Sequence, residues 1–238
     1  MQKTMICLAR PALARAAEID TWQQQLRALV TDYASLFLGC SMCIPDKQVA
    51  PAHLLEMKNT QHPKDAVVSI WSDNISQLDE FMSELRTFGE LQAYGVFESA
   101  PIPRQSSLGR TEGMCQIAFI KKPAAMENRD WQHIWLGNHT QIAIDTQSTF
   151  AYRQNVVAVP LPLDSASTPN WPLMDAIVEE NFPVEAMTSR DVFFDSENDP
   201  VRFESNQQIM LESCFKFIDF DAFDCVPMSE YTLKPRIL

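Results

Sequence analysis

Apolar positions follow two different spacings in the first half of the chain, and the spacings succeed one another in a regular order. Continuous or alternating apolar residues predict strands over 3–9, 37–44, 65–72 and 91–99. Two other segments, 20–36 and 76–88, carry apolar residues three and four positions apart, as amphipathic helices do. Asp20 is expected to cap the first helix. The predicted order is therefore β-α-β-β-α-β.

The second half repeats this order. Strands are predicted over 115–122, 149–161, 173–182 and 225–233, and helical segments over 128–139, 185–194 and 202–214. The helix over 128–139 is expected to end at His139. A stretch rich in proline, serine and glycine, residues 100–113, lies between the halves. We therefore expect two modules, 1–104 and 114–238, joined by a linker over 105–113.

The order β-α-β-β-α-β is typical of a ferredoxin-like module, an α+β unit with a four-stranded antiparallel sheet and both helices on one face. The other face of each sheet is left bare and must be covered. Two tandem modules in one chain can cover each other by packing sheet to sheet. The space between the sheets is then the natural place for a small-molecule pocket.

Composition excludes several functional classes. Hydrophobic residues make up 46% of the 238 positions, as in globular proteins, and the formal net charge is −12. Such a charge disfavours binding to nucleic acid and to anionic membranes. No apolar run approaches the roughly 20 residues of a membrane span, and the run 5–9 is shorter than the about 7–15 residues of a signal peptide core. A cytoplasmic location is expected.

The six cysteines are expected to be reduced thiols. Cys40 and Cys43 have CxxC spacing, but they lie in a predicted strand, and no second CxxC or HxxxH completes a zinc site. The six glycines form no phosphate-binding loop. The sequence therefore predicts no metal and no cofactor.

The second half resembles the EthD family of the dimeric α/β-barrel superfamily. The resemblance rests on AFIKKP (118–123), on RDWQHIW (129–135) followed by LGN and His139, and on FAYRQNVV (150–157). The thirteen-residue step from His139 to Tyr152 matches the family spacing. DAIVEENF (175–182) and FKFIDFDAF (215–223) are similar to later family segments.

The resemblance covers about residues 114–236 and implies a fold in which the two modules form a dimeric-α/β-barrel-like pseudo-dimer. Three residues depart from the family pattern. Thr140 and Gln141 stand where a small residue and proline are usual, and Glu180 stands where an apolar residue is usual. The first half follows the architecture, but the corresponding helix end has Asp32 and Tyr33 and no histidine. Any chemistry is therefore expected on one side only.

Three residues are candidates for catalysis: His139, Glu179 and Tyr152. A helix C-terminus favours the imidazolium form, so the pKa of His139 is expected to rise slightly, which suits acid–base work near neutral pH. Glu179 is expected to orient His139 or to act as a base. The alternatives are that His139 only caps backbone carbonyls and that the acids of this strand are solvated at an edge.

Four further residues are candidates for substrate binding: Gln154, Asn155, Trp135 and Asp175. Tyr152 and Gln154 are expected on one strand face, and Asn155 on the other. Structural hydrogen bonding explains these polar groups equally well. Trp135 shares a helical face with Trp131, which is also typical of a core.

The resemblance implies a cofactor-independent enzyme of cyclase, decarboxylase, isomerase or monooxygenase type. We expect acid–base proton transfer on a small, largely apolar carbonyl or aromatic metabolite, in a monomeric pseudo-dimer or a homodimer. The alternative is a non-catalytic binding or accessory protein for a hydrophobic metabolite in a degradation pathway. A third possibility is a fold without a ligand, which a filled interior between the sheets would favour.

Overall fold

In the part of the chain that the structure describes, ten strands, eight of which close into an antiparallel barrel, carry the helices on their outer side. The computed structural model describes residues 2–11, 16–60, 62, 64–161 and 171–236. The strands are β1 (Gln2–Ala9), β2 (Gly39–Ile44), β3 (Met57–Lys58), β4 (Ala66–Ser72), β5 (Glu90–Ile102), β6 (Gly109–Arg110), β7 (Met114–Ile120), β8 (Ala151–Pro160), β9 (Ala176–Phe182) and β10 (Asp224–Lys234). The helices are α1 (Ala16–Ala34), α2 (Ile75–Leu85), α3 (Asn128–Gln132), α4 (Thr140–Thr146), α5 (Arg190–Phe193) and α6 (Pro200–Cys214).

Strand order confirms the predicted architecture. The first half contributes β2-β4-β1-β5 and the second half contributes β8-β9-β7-β10, which is the same ferredoxin-like order in each half. β5 pairs with β8 and β10 pairs with β2, both antiparallel, so the two sheets are hydrogen-bonded edge to edge into a closed barrel. The contacts that two chains would make in a dimeric α/β barrel are thus made within one chain.

The apolar side chains divide into three cores, as the alternation of residues along a strand requires. One core lies between the first half's sheet and α1 and α2, where the predicted helix faces with Leu26 and Phe81 are buried. A second lies between the second half's sheet and its helices, around Trp135 and Phe217. The third fills one part of the barrel interior, with residues such as Ile117. The helices therefore cover the outer sheet faces, and the inner faces cover each other.

Two predicted helix ends are wrong. The first helix begins at Ala16, so Asp20 lies inside the helix and does not cap it. The helix over 128–139 does not end at His139: a π-helical segment, His133–His139, joins α3 directly to α4. His139 is consequently an interior residue of a continuous helical stretch.

Two residues of the predicted linker belong to the sheet. β6 (Gly109–Arg110) pairs with Tyr231 and Thr232 of β10. β3 (Met57–Lys58), which the sequence pattern did not predict, also pairs with β10. The division into modules 1–104 and 114–238 stays a prediction.

Cys40 and Cys43 both lie in β2, as predicted. Because they are three residues apart on a strand, Cys40 faces the helix side and Cys43 faces the barrel interior. The described residues contain no group of three or more potential metal ligands. Within the same residues, no helix combines the length and apolar character that crossing a membrane requires.

Candidate functional site

His139 is buried between the π-helical segment and α6. Its side chain is 7% exposed, its Nδ1 lies 2.9 Å from Ser213 Oγ, and its ring packs on Phe217 at 4.5 Å between centroids. Burial lowers the pKa of His139 to about 4. The predicted rise in pKa is therefore wrong: the helix does not end here, and desolvation of the imidazolium dominates. His139 is neutral at pH 7.

Tyr152 and Gln154 face the helices, on the same side of the sheet as His139. The Gln154 amide donates to Tyr152 Oη at 3.2 Å and to Thr140 Oγ1 at 2.8 Å. Burial raises the pKa of Tyr152 well above its usual range, although hydrogen bonds from Gln154 and Trp135 oppose this. Tyr152 therefore keeps its proton at neutral pH, and its hydroxyl is a hydrogen-bond donor.

Glu180 lies beside Tyr152, on the helix side of β9. The two residues are directly opposite in the β8–β9 register. Glu180 Oε1 is buried and has no hydrogen-bond partner within the described residues. Burial raises the pKa of Glu180 to about 7. Burial, and then the charge of Glu180, also raise the pKa of the Cys214 thiol to about 12. Glu180 is thus a carboxyl group that gains and loses its proton near neutral pH.

Glu179 points to the opposite side of the sheet, into the barrel interior. Its Oε2 lies 2.6 Å from Lys3 Nζ and accepts from Asn155 Nδ2 at 3.0 Å, and its Oε1 accepts from Arg153 at 3.2 Å. Burial acts to raise the pKa of Glu179, but Arg153 and Lys3 outweigh it and lower the pKa to about 2. The carboxylate is permanently ionised and a weak base.

Lys3, Glu179 and Arg153 form an ionic network inside the barrel, and this network continues to Glu230 on β10. Arg153 donates to Glu230 Oε1, and Asn181 Nδ2 and Thr111 Oγ1 donate to Glu230 Oε2 at 3.0 and 2.9 Å. Burial acts to raise the pKa of Glu230, but Arg153 reverses this and lowers it. Arg153 therefore joins two carboxylates of the second half.

Trp135 and Asp175 were also predicted to bind substrate. Trp135 is fully buried and packs against Trp131 at 5.0 Å and Phe217 at 6.4 Å, as a core residue would. Asp175 lies just before β9, where its carboxylate accepts from the Lys122 backbone N–H at 3.0 Å. Trp135 and His139 both pack on Phe217, whereas the contact that holds Asp175 does not involve His139.

The structure brings together only part of the predicted site. Tyr152 and Gln154 share the helix side with His139, while Glu179 and Asn155 are in the interior. The predicted pairing of Glu179 with His139 is wrong, because neighbouring strand residues alternate between faces and Glu179 is held by Lys3, Arg153 and Asn155. The interior is filled by apolar side chains and this ionic network.

Sequence reasoning missed Glu180 as a candidate. The signal was present, since Glu180 is the acidic residue that stands where the resembled family usually has an apolar one. Its helix-side position also follows from alternation with Ala176 and Val178. Lys3 and Arg153 were missed for another reason, because their partners lie 176 and 26 residues away along the chain.

Comparisons with known proteins show the fold. No protein-family model and no curated protein matches the chain. The structure of an anthrone oxidase-like protein is similar at TM-score 0.59, with 5% sequence identity over 99% of this chain and 95% of that one. A mutant chlorite dismutase from Candidatus Nitrospira defluvii matches at TM-score 0.47, with 11% identity over 98% and 91% of the two chains, which is too distant to carry an argument. The first likeness supports the dimeric α/β-barrel fold and nothing about activity.

Proposed function

We propose that this protein is a cofactor-independent enzyme that moves a proton on a small, largely apolar carbonyl or aromatic compound. The proposed site lies between the sheet and helices of the second half, around Glu180 and Tyr152. This location agrees with the EthD resemblance, which is confined to the second half. It differs from the sequence prediction in placing the base at Glu180.

The buried, unpartnered Oε1 of Glu180, opposite Tyr152 in the sheet, is the observation that carries this proposal. A general base works best when its pKa is close to the operating pH, and burial raises the pKa of Glu180 to about 7. Its Oε1 has no partner among the described residues, so one oxygen has an unused capacity to accept a hydrogen bond or a proton. Glu179, whose pKa is about 2, lacks both properties.

Glu180 and Tyr152 together provide the groups that an enolisation needs. The Glu180 carboxylate takes a proton from the carbon next to a carbonyl, and the electron pair of that C–H bond forms an enolate. The Tyr152 hydroxyl, which stays protonated, donates a hydrogen bond to the enolate oxygen. Glu180 then returns the proton to the product, so isomerisation requires no further reactant.

His139 is proposed as a positioning residue. Being neutral at pH 7, it holds Ser213 of α6 against the helical segment that carries Trp135. Trp135 and Phe217 belong to the same buried apolar cluster as Tyr152, which favours an apolar substrate. Asn155 and Asp175, which lie away from Glu180, are the weakest of the predicted substrate contacts.

Deuterium exchange at carbon tests this proposal directly. Anthrone, suggested by the name of the structurally similar protein, carries exchangeable hydrogens on the ring carbon opposite its carbonyl, with which it is conjugated through the aromatic rings. Aryl methyl ketones carry exchangeable hydrogens on the carbon next to the carbonyl. We expect the wild type to accelerate their exchange in D2O, measured by proton NMR, with a rate that rises as pH increases through about 7. Glu180→Gln should reduce the enzymatic rate by about 100-fold or more.

Glu185→Gln is the matched control, because Glu185 is an exposed acid shortly after β9. It should leave the exchange rate unchanged. Equal exchange in the wild type and in Glu180→Gln would contradict the proposal. Ligand binding without exchange would instead favour the alternative of a binding or accessory protein. Neither binding nor exchange would favour a fold without a ligand, the possibility that the filled barrel interior supports.

A further inference from the structure

A small cavity opens at one mouth of the barrel, on the opposite side of the sheet from Glu180. Its volume is about 110 Å³, and its lining includes Trp71, Arg153, Glu230, Thr232 and Arg236. This volume equals three or four water molecules at about 30 Å³ each, which is the size of a small anion. Both halves of the chain contribute to the lining.

Several residues of the cavity lining carry a buried polar atom that has no hydrogen-bond partner among the described residues. One of these atoms is an acceptor, Glu98 Oε2, which lies 2.8 Å from Lys3 Nζ in an ion pair. Five other lining residues each leave one donor atom without a partner among the described residues: Trp71 Nε1, Arg104 Nε, Arg153 Nε, Thr232 Oγ1 and Arg236 Nε. Each of these atoms carries a hydrogen that it can donate. Leaving a donor buried and unpaired costs about 1–3 kcal/mol, so such a cluster favours a ligand rich in acceptors.

The charge of the lining also favours an anion. Four cationic side chains, Arg104, Arg153, Lys234 and Arg236, face two acidic ones, Glu98 and Glu230. The local balance is thus +2 in a chain whose formal net charge is −12. Glu98 and Glu230 already hold cations, since Arg236 pairs with Glu98 and Arg153 pairs with Glu230.

The donors are held rigidly in place. Trp71 is 7% exposed, and the cations Lys3 and Arg236 lie over its ring at 4.7 and 5.6 Å. Thr232 is 3% exposed and lies on β10, which pairs with β7 and, where the barrel closes, with β2. Since these side chains are already ordered, binding an anion requires little further loss of conformational entropy.

We propose that this barrel mouth binds a small oxyanion, either a carboxylate or a phosphate. The unpaired N–H and O–H groups of Trp71, Thr232 and the arginines donate to its oxygens, and the excess of two positive charges balances it. Arginine suits this role because its planar guanidinium matches the geometry of carboxylate and phosphate oxygens. The site is separate from the proposed catalytic site, so either proposal can fail without the other.

Calorimetric titration tests the oxyanion site. Acetate, oxalate and inorganic phosphate are titrated separately into the full-length protein at constant ionic strength, with chloride as the reference anion. We expect saturable 1:1 binding of at least one oxyanion and none of chloride. Thr232→Val and Trp71→Phe should each weaken that binding about tenfold or more, since each removes a hydrogen bond to a charged group.

These two substitutions remove a hydroxyl and an N–H that have no partner among the described residues, and Phe keeps an aromatic ring beneath Lys3 and Arg236, so the folded state should persist. Thr232→Val should leave the melting temperature without ligand unchanged or higher. Trp22→Phe is the matched control: it makes the same change in α1, where Trp22 Nε1 donates to the Phe88 carbonyl at 2.9 Å, and it should leave anion affinity unchanged. Absence of saturable binding, or equal affinity in wild type, Thr232→Val and Trp71→Phe, would overturn the proposal.

Discussion

Glu179 and Glu180 are adjacent on β9, yet their pKa values are about 2 and about 7. Both carboxyl groups are removed from water, which by itself raises the pKa of each. Lys3 and Arg153 reverse this effect for Glu179, whereas Glu180 has no cation beside it among the described residues. The face of the strand, rather than the residue type, therefore decides whether a glutamate is a structural ion or a candidate base.

The difference in free energy of unfolding between Glu180→Gln and the wild type should change with pH in a defined direction. The pKa of Glu180 is higher in the folded state than its ordinary value of 4.5, so wild-type stability falls as pH rises from 4.5 to 7. Glutamine does not titrate. The free energy of unfolding of the variant should therefore increase relative to wild type by about 2–3 kcal/mol between pH 5 and pH 8, measured by urea denaturation.

Wild-type stability alone does not isolate Glu180, because the shifted pKa of His139 changes the free energy of unfolding with pH in the opposite direction. Its pKa is lowered to about 4, so wild-type stability is lost as pH falls from about 6.5 to 4. The two contributions partly cancel in the wild type but not in the difference between the two proteins. A constant difference from pH 5 to pH 8 would show that Glu180 is ionised normally.

At the scale of elements, the π-helical segment His133–His139 determines where the helical site residues lie. It lets the helix continue past Gly137 and Asn138, residues that usually favour termination. His139 is consequently carried against α6 instead of into a loop, and Thr140 reaches Gln154. A helix that ended at His139 would have left both contacts unmade.

Glycine substitutions distinguish a helical position from a turn. A Cβ at Gly137 would meet only His133 Nδ1, at 3.9 Å, so Gly137→Ala should stabilise the protein by about 0.5–1 kcal/mol. Gly113, with φ +85°, would place a Cβ 2.0 Å from the Phe182 carbonyl oxygen. Gly113→Ala should therefore cost more than the about 1–2 kcal/mol of its left-handed backbone alone.

Thermal and urea denaturation of both variants measure this difference. Each variant is the control for the other, because the same methyl group is added in each. Destabilisation by Gly137→Ala similar to that of Gly113→Ala would contradict the helical structure of His133–His139.

At the scale of the whole molecule, buried ion pairs connect the two halves inside the barrel. Lys3 of β1 pairs with Glu179 of β9 at 2.6 Å and with Glu98 of β5 at 2.8 Å. Its side chain is 2% exposed, and that of Glu179 is 1% exposed. Since both ions are desolvated, removing one leaves an uncompensated charge in the interior. The first half thus supplies a cation that the second half requires.

Lys3→Met should destabilise the whole barrel. We expect a loss of about 3–5 kcal/mol in the free energy of unfolding, measured by urea denaturation at pH 7, and partial recovery in Lys3→Met with Glu179→Gln. Lys58→Met is the matched control, because Lys58 and Glu56 form an exposed pair whose loss should cost at most about 1 kcal/mol. Equal effects of Lys3→Met and Lys58→Met would contradict a buried network.

The sequence by itself determined the elements and their order. Periodicity predicted the eight barrel strands and the amphipathic helices, because burial of one face imposes a spacing of two or about 3.6 residues. Alternation also placed Tyr152 and Gln154 on one face of β8 and Asn155 on the other, as the hydrogen bonds confirm. These features depend on neighbouring residues, so they can be read along the chain.

Only the tertiary structure decided which groups meet and how they ionise. Lys3 reaches Glu179 across 176 positions, and the barrel mouth brings Trp71 of the first half together with Arg236 of the second. The low pKa of His139 and the high pKa of Glu180 arise from desolvation by packed neighbours. Desolvation and charge pairing depend on distance in space, which residue spacing along the chain does not specify.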